Sequence, residues 1–241
     1  QIIPLPLADN NQQSELVFWP NWLIKQQADS LLYTSIQSIP WRHDHIKMFG
    51  KQVPVPRLQN WFADHSNTSY TYSGICMQAV KFPQWMAELA DSVAEQTNYP
   101  FNRALVNYYR NGNDSVDWHA DDEPELGEDP IIASISLGVE RVFQLRHNLT
   151  GEIVSLPLPH GSLLLMGSRI QHFYQHRLAK VKNLQQERVN FTFRYMNNNL
   201  DNKEIEIIHV PTVDMGRANI ATKAVIGAQF NKEAAEQCNW H

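Results

Sequence analysis

Between positions 20 and 39 the apolar residues Ile24, Ala28, Leu31, Leu32, Ile36 and Ile39 recur at helical spacing, with Pro20 near the start and Pro40 just past the end. That period puts them on one face of a helix and predicts one there. A second stripe, Trp85, Met86, Leu89, Ala90 and Val93, predicts a helix beginning around Pro83. From Leu105 onward the pattern changes. The runs 104–109, 131–137, 141–146, 162–166 and 189–195 are short and rich in β-branched and aromatic residues. Turn residues separate them: Asn111–Gly112–Asn113, Gly138, Thr150–Gly151, His160–Gly161 and Gly167. Short strands after two helices predict a mainly β fold, a sandwich or jelly roll with helices flanking it. After 197–199 the composition turns polar, and 200–241 reads as an extension with a helix near 218–237 that Gly227 interrupts.

Composition narrows the picture. A chain of 241 residues with 43% hydrophobic and 19% charged positions can build one good core. No run approaches the roughly 18 apolar residues of a membrane span. The two cysteines, Cys76 and Cys238, lie far apart, so a disulfide framework is not expected and a reducing, intracellular compartment is. The net charge of −5 argues at first against a nucleic-acid partner. Seven of the acids, however, crowd between Asp117 and Asp129, whereas Arg42, Lys47, Lys51 and Arg57 face Asp44 alone between 41 and 58. A local basic face is compatible with that distribution.

Two constellations carry chemistry. In a strand, residues i and i+2 share a face, so His119 and Asp121 can offer an imidazole and a carboxylate to one ion. With a second histidine they make the two-His, one-carboxylate face of non-haem Fe(II) oxygenases, which leaves coordination positions open for substrates. Spacing alone leaves that second histidine undecided, because His172 and His176 fall on one strand face, while His147 and His160 read as turn or surface residues. The other constellation is the segment 188–195, in which Arg188, Asn190, Thr192 and Arg194 alternate with apolar residues. Such alternation commonly marks a strand with one solvated face. If the polar face points inward instead, two guanidiniums need anions, and a dicarboxylate supplies two. Asn107 and Tyr109 share a strand face and can add neutral hydrogen bonds to the same ligand.

Taken together, these residues resemble the AlkB family of Fe(II)- and 2-oxoglutarate-dependent dioxygenases. The likeness runs from about Trp41 to Tyr195 and includes Asn107–Tyr108–Tyr109, His119–Ala120–Asp121–Asp122–Glu123, His176 and the Arg-x-Asn-x-x-x-Arg ending at Arg194. It is closest to the nuclear, double-strand-preferring animal branch, through Ser69–Tyr70–Thr71–Tyr72–Ser73–Gly74, Met48–Phe49–Gly50–Lys51 and Pro56–Arg57. Met48 and Tyr72 depart from that branch, and 200–241 has no counterpart in it. The resemblance implies a double-stranded β-helix core. It implies His176 as the distal iron ligand beside His119 and Asp121. It gives 2-oxoglutarate to Asn107, Tyr109, Arg188, Asn190 and Arg194. Substrate contacts are implied at Phe49, as the tip of a duplex-probing finger, and at Arg57, Tyr70, Tyr72, Ser73, Asp122 and Glu123.

The implied activity is oxidative dealkylation of N-alkylated bases such as 1-methyladenine and 3-methylcytosine in DNA. It uses Fe(II), 2-oxoglutarate and O2 and yields aldehyde, succinate and CO2. A base must leave the duplex stack to reach such a site, at a cost of a few kcal/mol. The alternative is a 2-oxoglutarate oxygenase acting on RNA, protein or a small molecule. The expected partner is alkylated DNA or RNA, the expected state a monomer, and the expected location the cytoplasm of a bacterium or the nucleus of a eukaryote. Three segments are expected: 1–40, a helical piece packed on the core; 41–197, nucleotide recognition and the jelly roll; and 198–241, an extension.

Overall fold

The computed structural model describes residues 1–3, 5, 15–48, 50–64, 69–72 and 75–196, with backbone alone at 47–48, 69–72 and 75–77. Phe49, Ser73, Gly74 and the extension with its expected helix lie outside the described residues. In chain order the elements are β1 (Ile2–Ile3), β2 (Leu16–Trp19), α1 (Lys25–Ser38), β3 (His45–Met48), β4 (Lys51–Pro54), β5 (Leu58–Ala63), β6 (Ser69–Tyr72), β7 (Ile75–Gln78) and β8 (Val80–Lys81). They continue with α2 (Gln84–Thr97), β9 (Arg103–Tyr109), β10 (Val116–His119), β11 (Ile132–Gly138), β12 (Arg141–His147), β13 (Ile153–Leu158), β14 (Ser162–Met166), α3 (Ile170–Phe173), β15 (Tyr174–Leu178) and β16 (Arg188–Arg194).

Both predicted helices form, with ends set by local chemistry. Helix α1 starts at Lys25 rather than near Pro20, because the Leu23 N–H donates to the Gly161 carbonyl and ties that segment to a turn of the sheet. It stops where Ile39 turns extended (φ −76°, ψ 127°), as a residue preceding proline must. Helix α2 follows Pro83 and ends on Asn98 in the left-handed region (φ 62°).

The strands form a large sheet in the order β1-β2-β14-β11-β16-β9-β5-β8 and a smaller one in the order β10-β15-β12-β13, with β3–β4 and β6–β7 as separate hairpins. Neighbours are antiparallel except β5 and β8. This is the mainly β, jelly-roll architecture that the pattern predicted, and β2 adds a strand ahead of α1 that hydropathy did not single out.

Period-two alternation divides the large sheet into two chemically different faces. Val189, Phe191 and Phe193 of β16, Ala104 and Val106 of β9, and Ala133, Ile135 and Leu137 of β11 join Ala28 of α1 and Met86, Leu89, Ala90 and Val93 of α2 in one core. The opposite face, through Ile132, Leu164 and Met166, packs on Phe143, Leu145, Leu156 and Leu158 of the small sheet. That second layer is apolar near β14 and polar along β16 and β9. The register sets Arg188 beside Tyr109, Asn190 beside Asn107 and Arg194 beside Arg103. Gly138 closes β11 at φ +90°, where a Cβ would meet the Glu187 carbonyl oxygen at 2.4 Å, so only glycine lets 187–188 approach.

Candidate metal centre and anion pocket

Between the two sheets lies a narrow cleft lined by residues that include Arg57, Asn107, Tyr109, Val116, His119, Asp121, His176, Arg188, Asn190, Thr192 and Arg194. The inward-facing reading of 188–194 is therefore the observed one. All seven residues of β16 are buried, and its polar side chains are in the interior because a second sheet covers them.

His119 reaches the cleft through a β-bulge. Strand β10 pairs with β15 at Val116↔Leu178 and again at His119↔His176, so three steps on one strand match two on the other. The extra residue lets Val116 and His119 both line the cleft, although positions three apart on a regular strand face opposite ways. The strand ends at His119, so strand alternation does not place Asp121, contrary to the spacing argument. Two other contacts do. Gln171 Oε1 accepts the Asp121 N–H at 2.9 Å, and Arg194 Nη2 donates to Asp121 Oδ2 at 2.7 Å. His172 sits on α3 and is exposed, whereas His176 lies in the cleft wall beside His119 and Asp121. His147, expected at a turn or the surface, ends β12 at a turn but is buried, with its Nδ1 accepting the Thr150 N–H at 3.1 Å.

Ligand atoms of His119, Asp121 and His176 all lie within 4.8 Å of one another. The His119 Nδ1–H donates to the Asp117 carbonyl (2.8 Å), which leaves the Nε2 lone pair turned toward Asp121 Oδ1, 3.9 Å away. Burial lowers the His119 pKa, partly opposed by Asp121. Burial, then the neighbouring His119, pushes His176 down to about 3. Burial alone would raise Asp121, but Arg194 and the two imidazoles outweigh it and hold the carboxyl at about 2. Two neutral imidazoles and one carboxylate are the protonation states that a divalent cation requires. Asp121 Oδ1 is buried and accepts no hydrogen bond, and His176 Nδ1 is likewise without a partner. The donor set fits Fe(II).

Toward the other end of the cleft stands Arg188, 2% exposed. Its Nη2 donates to Ser136 Oγ at 2.8 Å, its Cζ lies 5.2 Å from the Tyr109 ring centroid, and its Nε has no partner. Burial brings its pKa down to about 10, which marks a guanidinium short of counter-charge. Arg194, by contrast, spends one donor on Asp121 and so ties the anion end of the cleft to the metal end. Asn107, which lines the cleft, accepts a bond from Arg57 Nε at 2.9 Å. Asn190 is more committed: its amide donates to Ser134 Oγ and the Ile135 carbonyl, and its oxygen accepts from Thr192 Oγ1.

Of the residues expected to touch substrate, Arg57 lines the cleft, whereas Asp122 is exposed and Glu123 half-buried just outside it. Tyr70 and Tyr72 lie on β6, paired with Met77 and Ile75 of β7. Phe49 and Ser73 fall outside the described residues. Gln171 was not legible as a site residue, since one glutamine five positions before His176 gives no period or motif. Arg141 was missed too; it is buried and donates through Nη2 to the Asp114 and Ala179 carbonyls, bracing two loops behind Tyr109.

A jelly roll that brings a two-histidine, one-carboxylate triad together with buried arginines between its sheets defines a non-haem iron oxygenase of the 2-oxoglutarate type. Residues 15–194 match the 2OG-Fe(II) oxygenase superfamily, and the chain belongs to that family. Fe(II), 2-oxoglutarate and O2 are the cofactor and co-substrates that membership implies, and His119, Asp121 and His176 would hold the metal. Alpha-ketoglutarate-dependent dioxygenase alkB homolog 3 of Mus musculus is 37% identical over 193 residues, covering 75% of this chain and 66% of its own length. DNA oxidative demethylase ALKBH2 of Mus musculus is 38% identical over 157 residues, 62% of this chain and 65% of its own. The chain thus spans slightly less than two thirds of the length of these curated relatives. The solved structure of OsALKBH1 shares the fold, with a TM-score of 0.55 at 16% identity over 75% of this chain and 97% of that one. Among the described residues no helix is long and apolar enough to cross a membrane.

Proposed function

We propose that this protein, acting as a monomer, oxidatively removes alkyl groups from N-alkylated bases such as 1-methyladenine and 3-methylcytosine in DNA. The observation that carries the reading is one cleft in which a candidate iron triad and two buried arginines are linked through the Arg194–Asp121 pair. Relatives named as an alkB homolog and as a DNA oxidative demethylase supply the substrate class. When bound, iron with 2-oxoglutarate and O2 supplies the oxidation that hydroxylates the N-alkyl carbon, giving succinate and CO2 and then an aldehyde and the restored base.

The chain's own residues have separable roles in this reading. His119, Asp121 and His176 hold the metal. Arg188 takes the far carboxylate of 2-oxoglutarate and Arg194 the near one, with Asn107 and Tyr109 as neutral donors and Asn190 fixing the strand that presents both arginines. Arg57 faces the target base from the cleft wall. Contacts with that base are assigned to Tyr70, Tyr72, Ser73, Asp122 and Glu123, and the gap it leaves in a duplex to Phe49, on the strength of the family likeness. Phe143, 5.3 Å from His176 between ring centroids, gives the cleft an apolar wall beside the metal ligands.

The test uses the full chain with Fe(II), 2-oxoglutarate and oligonucleotides bearing 1-methyladenine or 3-methylcytosine, single- and double-stranded. Mass spectrometry should show loss of the methyl group together with equimolar formaldehyde and succinate, and His119→Ala should abolish all three. Turnover of 2-oxoglutarate without demethylation of any methylated oligonucleotide would overturn the substrate assignment and leave the family intact.

A further inference from the structure

The bulge that turns His119 inward has an outward consequence. Asp117 and Trp118 are left to the outer face of the small sheet, opposite Arg177. The Arg177 guanidinium carbon lies 4.3 Å from the Trp118 ring centroid, and that of Arg146, from the next strand, lies 4.4 Å away. Two cations therefore stack on one indole. Each is also held in place by a glutamine: Arg146 Nη2 donates to Gln175 Oε1 at 2.7 Å and Arg177 Nε to Gln144 Oε1 at 2.8 Å. On β12 and β15 these four polar residues alternate with Phe143, Leu145, Tyr174, His176 and Leu178, which face inward.

This arrangement concentrates two positive charges on one ring without a counter-charge. Two guanidiniums sharing one ring repel each other, and neither makes an ion pair with a carboxylate among the described residues. Asp117, the nearest acid along the strand, accepts the Trp118 N–H instead. The cluster is half exposed, so its remaining N–H groups reach solvent. They are nonetheless fixed in direction by the stacking and the glutamines, which lowers the entropy lost on capture of a planar or tetrahedral oxyanion. It stands one residue from His119, which at 23% side-chain exposure is among the more open parts of the cleft wall. Strand β10 is the edge of the small sheet, so the cluster lies at the same sheet edge that carries His119 into the cleft.

We infer that Arg146 and Arg177, stacked on Trp118, form a phosphate clamp for the backbone of the nucleic-acid strand that carries the target base. The inference rests on the nucleic-acid reading of the cleft. It adds a sequence-independent contact on the outer face of the small sheet, in a chain whose net charge of −5 offers little general attraction for DNA.

The experiment measures binding of a fluorescein-labelled, unmodified 15-nucleotide DNA by anisotropy across a salt series, single-stranded and as a duplex. Compared are the wild type, the double variant Arg146→Gln/Arg177→Gln, and the double variant Arg146→Lys/Arg177→Lys. Each phosphate contact contributes about 0.7 to the slope of log K against log salt for single strands. The Gln pair should therefore weaken binding about tenfold at low salt and flatten the slope by about 1 to 1.5. The Lys pair, which keeps the charge, should retain most of that slope. Melting temperature and 2-oxoglutarate affinity, unaffected by a surface clamp, report that the variants are folded. Unchanged affinity and slope in the Gln pair overturn the clamp, as do equal losses in the Gln and Lys pairs, which mean that the arginines act by packing. Absence of salt-dependent DNA binding by the wild type overturns the nucleic-acid reading itself, and the clamp with it.

Discussion

Replacing Arg188 by methionine should make the protein without 2-oxoglutarate no less stable while weakening its hold on that ligand severely. The guanidinium is 2% exposed, bonds to Ser136 Oγ, and faces Tyr109 rather than a carboxylate. Burial holds its pKa at about 10, well below the usual guanidinium range. At 1.36 kcal/mol per tenfold change, that is roughly 3 kcal/mol against the charged form in the folded state. The sign follows directly. Below pH 10 the residue is charged in both folded and unfolded chains, and only the folded chain bears the penalty. Methionine removes the penalty, keeps most of the volume, and loses the Ser136 bond, worth about 1 kcal/mol. The net expectation is a melting temperature equal to or a few degrees above that of the wild type. A carboxylate placed against Arg188 offsets the same 3 kcal/mol, so the Met variant should bind 2-oxoglutarate about a hundredfold more weakly. Isothermal titration with Mn(II) in place of Fe(II), with differential scanning calorimetry with and without ligand, reads both quantities. A variant that melts much lower, yet binds 2-oxoglutarate as tightly as the wild type, would show that Arg188 is a structural residue and refute the reasoning.

Gln171→Leu should lower metal affinity about tenfold, because the Asp121 N–H loses its acceptor, while Gln171→Glu restores it; the d–d spectrum of a Co(II) titration checks this, and unchanged affinity in the Leu variant excludes a positioning role. Burial, reinforced by its bond to Glu187, pushes Tyr108 up to about 12. Stability that is present below pH 10 should therefore fall as pH rises from 10 through 12, and the urea midpoint of the wild type should drop more steeply over that range than that of Tyr108→Phe. Phe191→Ala should cost about 3–5 kcal/mol in chemical denaturation, since the ring is fully buried between the large sheet and the helices, edge-on to Trp85 at 6.1 Å. A loss below 1 kcal/mol would mean that the helical layer does not depend on that contact.

The sequence by itself determined the elements whose period is long and unbroken. The stripes of α1 and α2, the strands β9, β11, β14 and β16, and the shared face of Arg188, Asn190, Thr192 and Arg194 follow from local geometry, because side-chain direction repeats every 3.6 or 2 residues. It also determined the residue types at the metal site, though only the resemblance selected His176 over His172. Three matters were left to the tertiary structure. Whether the polar face of β16 meets water or protein depends on the small sheet that covers it, and one strand's alternation reads the same in either case. The inward turn of His119 depends on a bulge, which is a mismatch between two strands and is visible only when β10 and β15 are paired. Asp121 lies beyond the end of its strand, held by Gln171 fifty positions away and by Arg194 seventy-three away. Contacts over such separations form only because chain closure brings the two sheets face to face, and no local period encodes them.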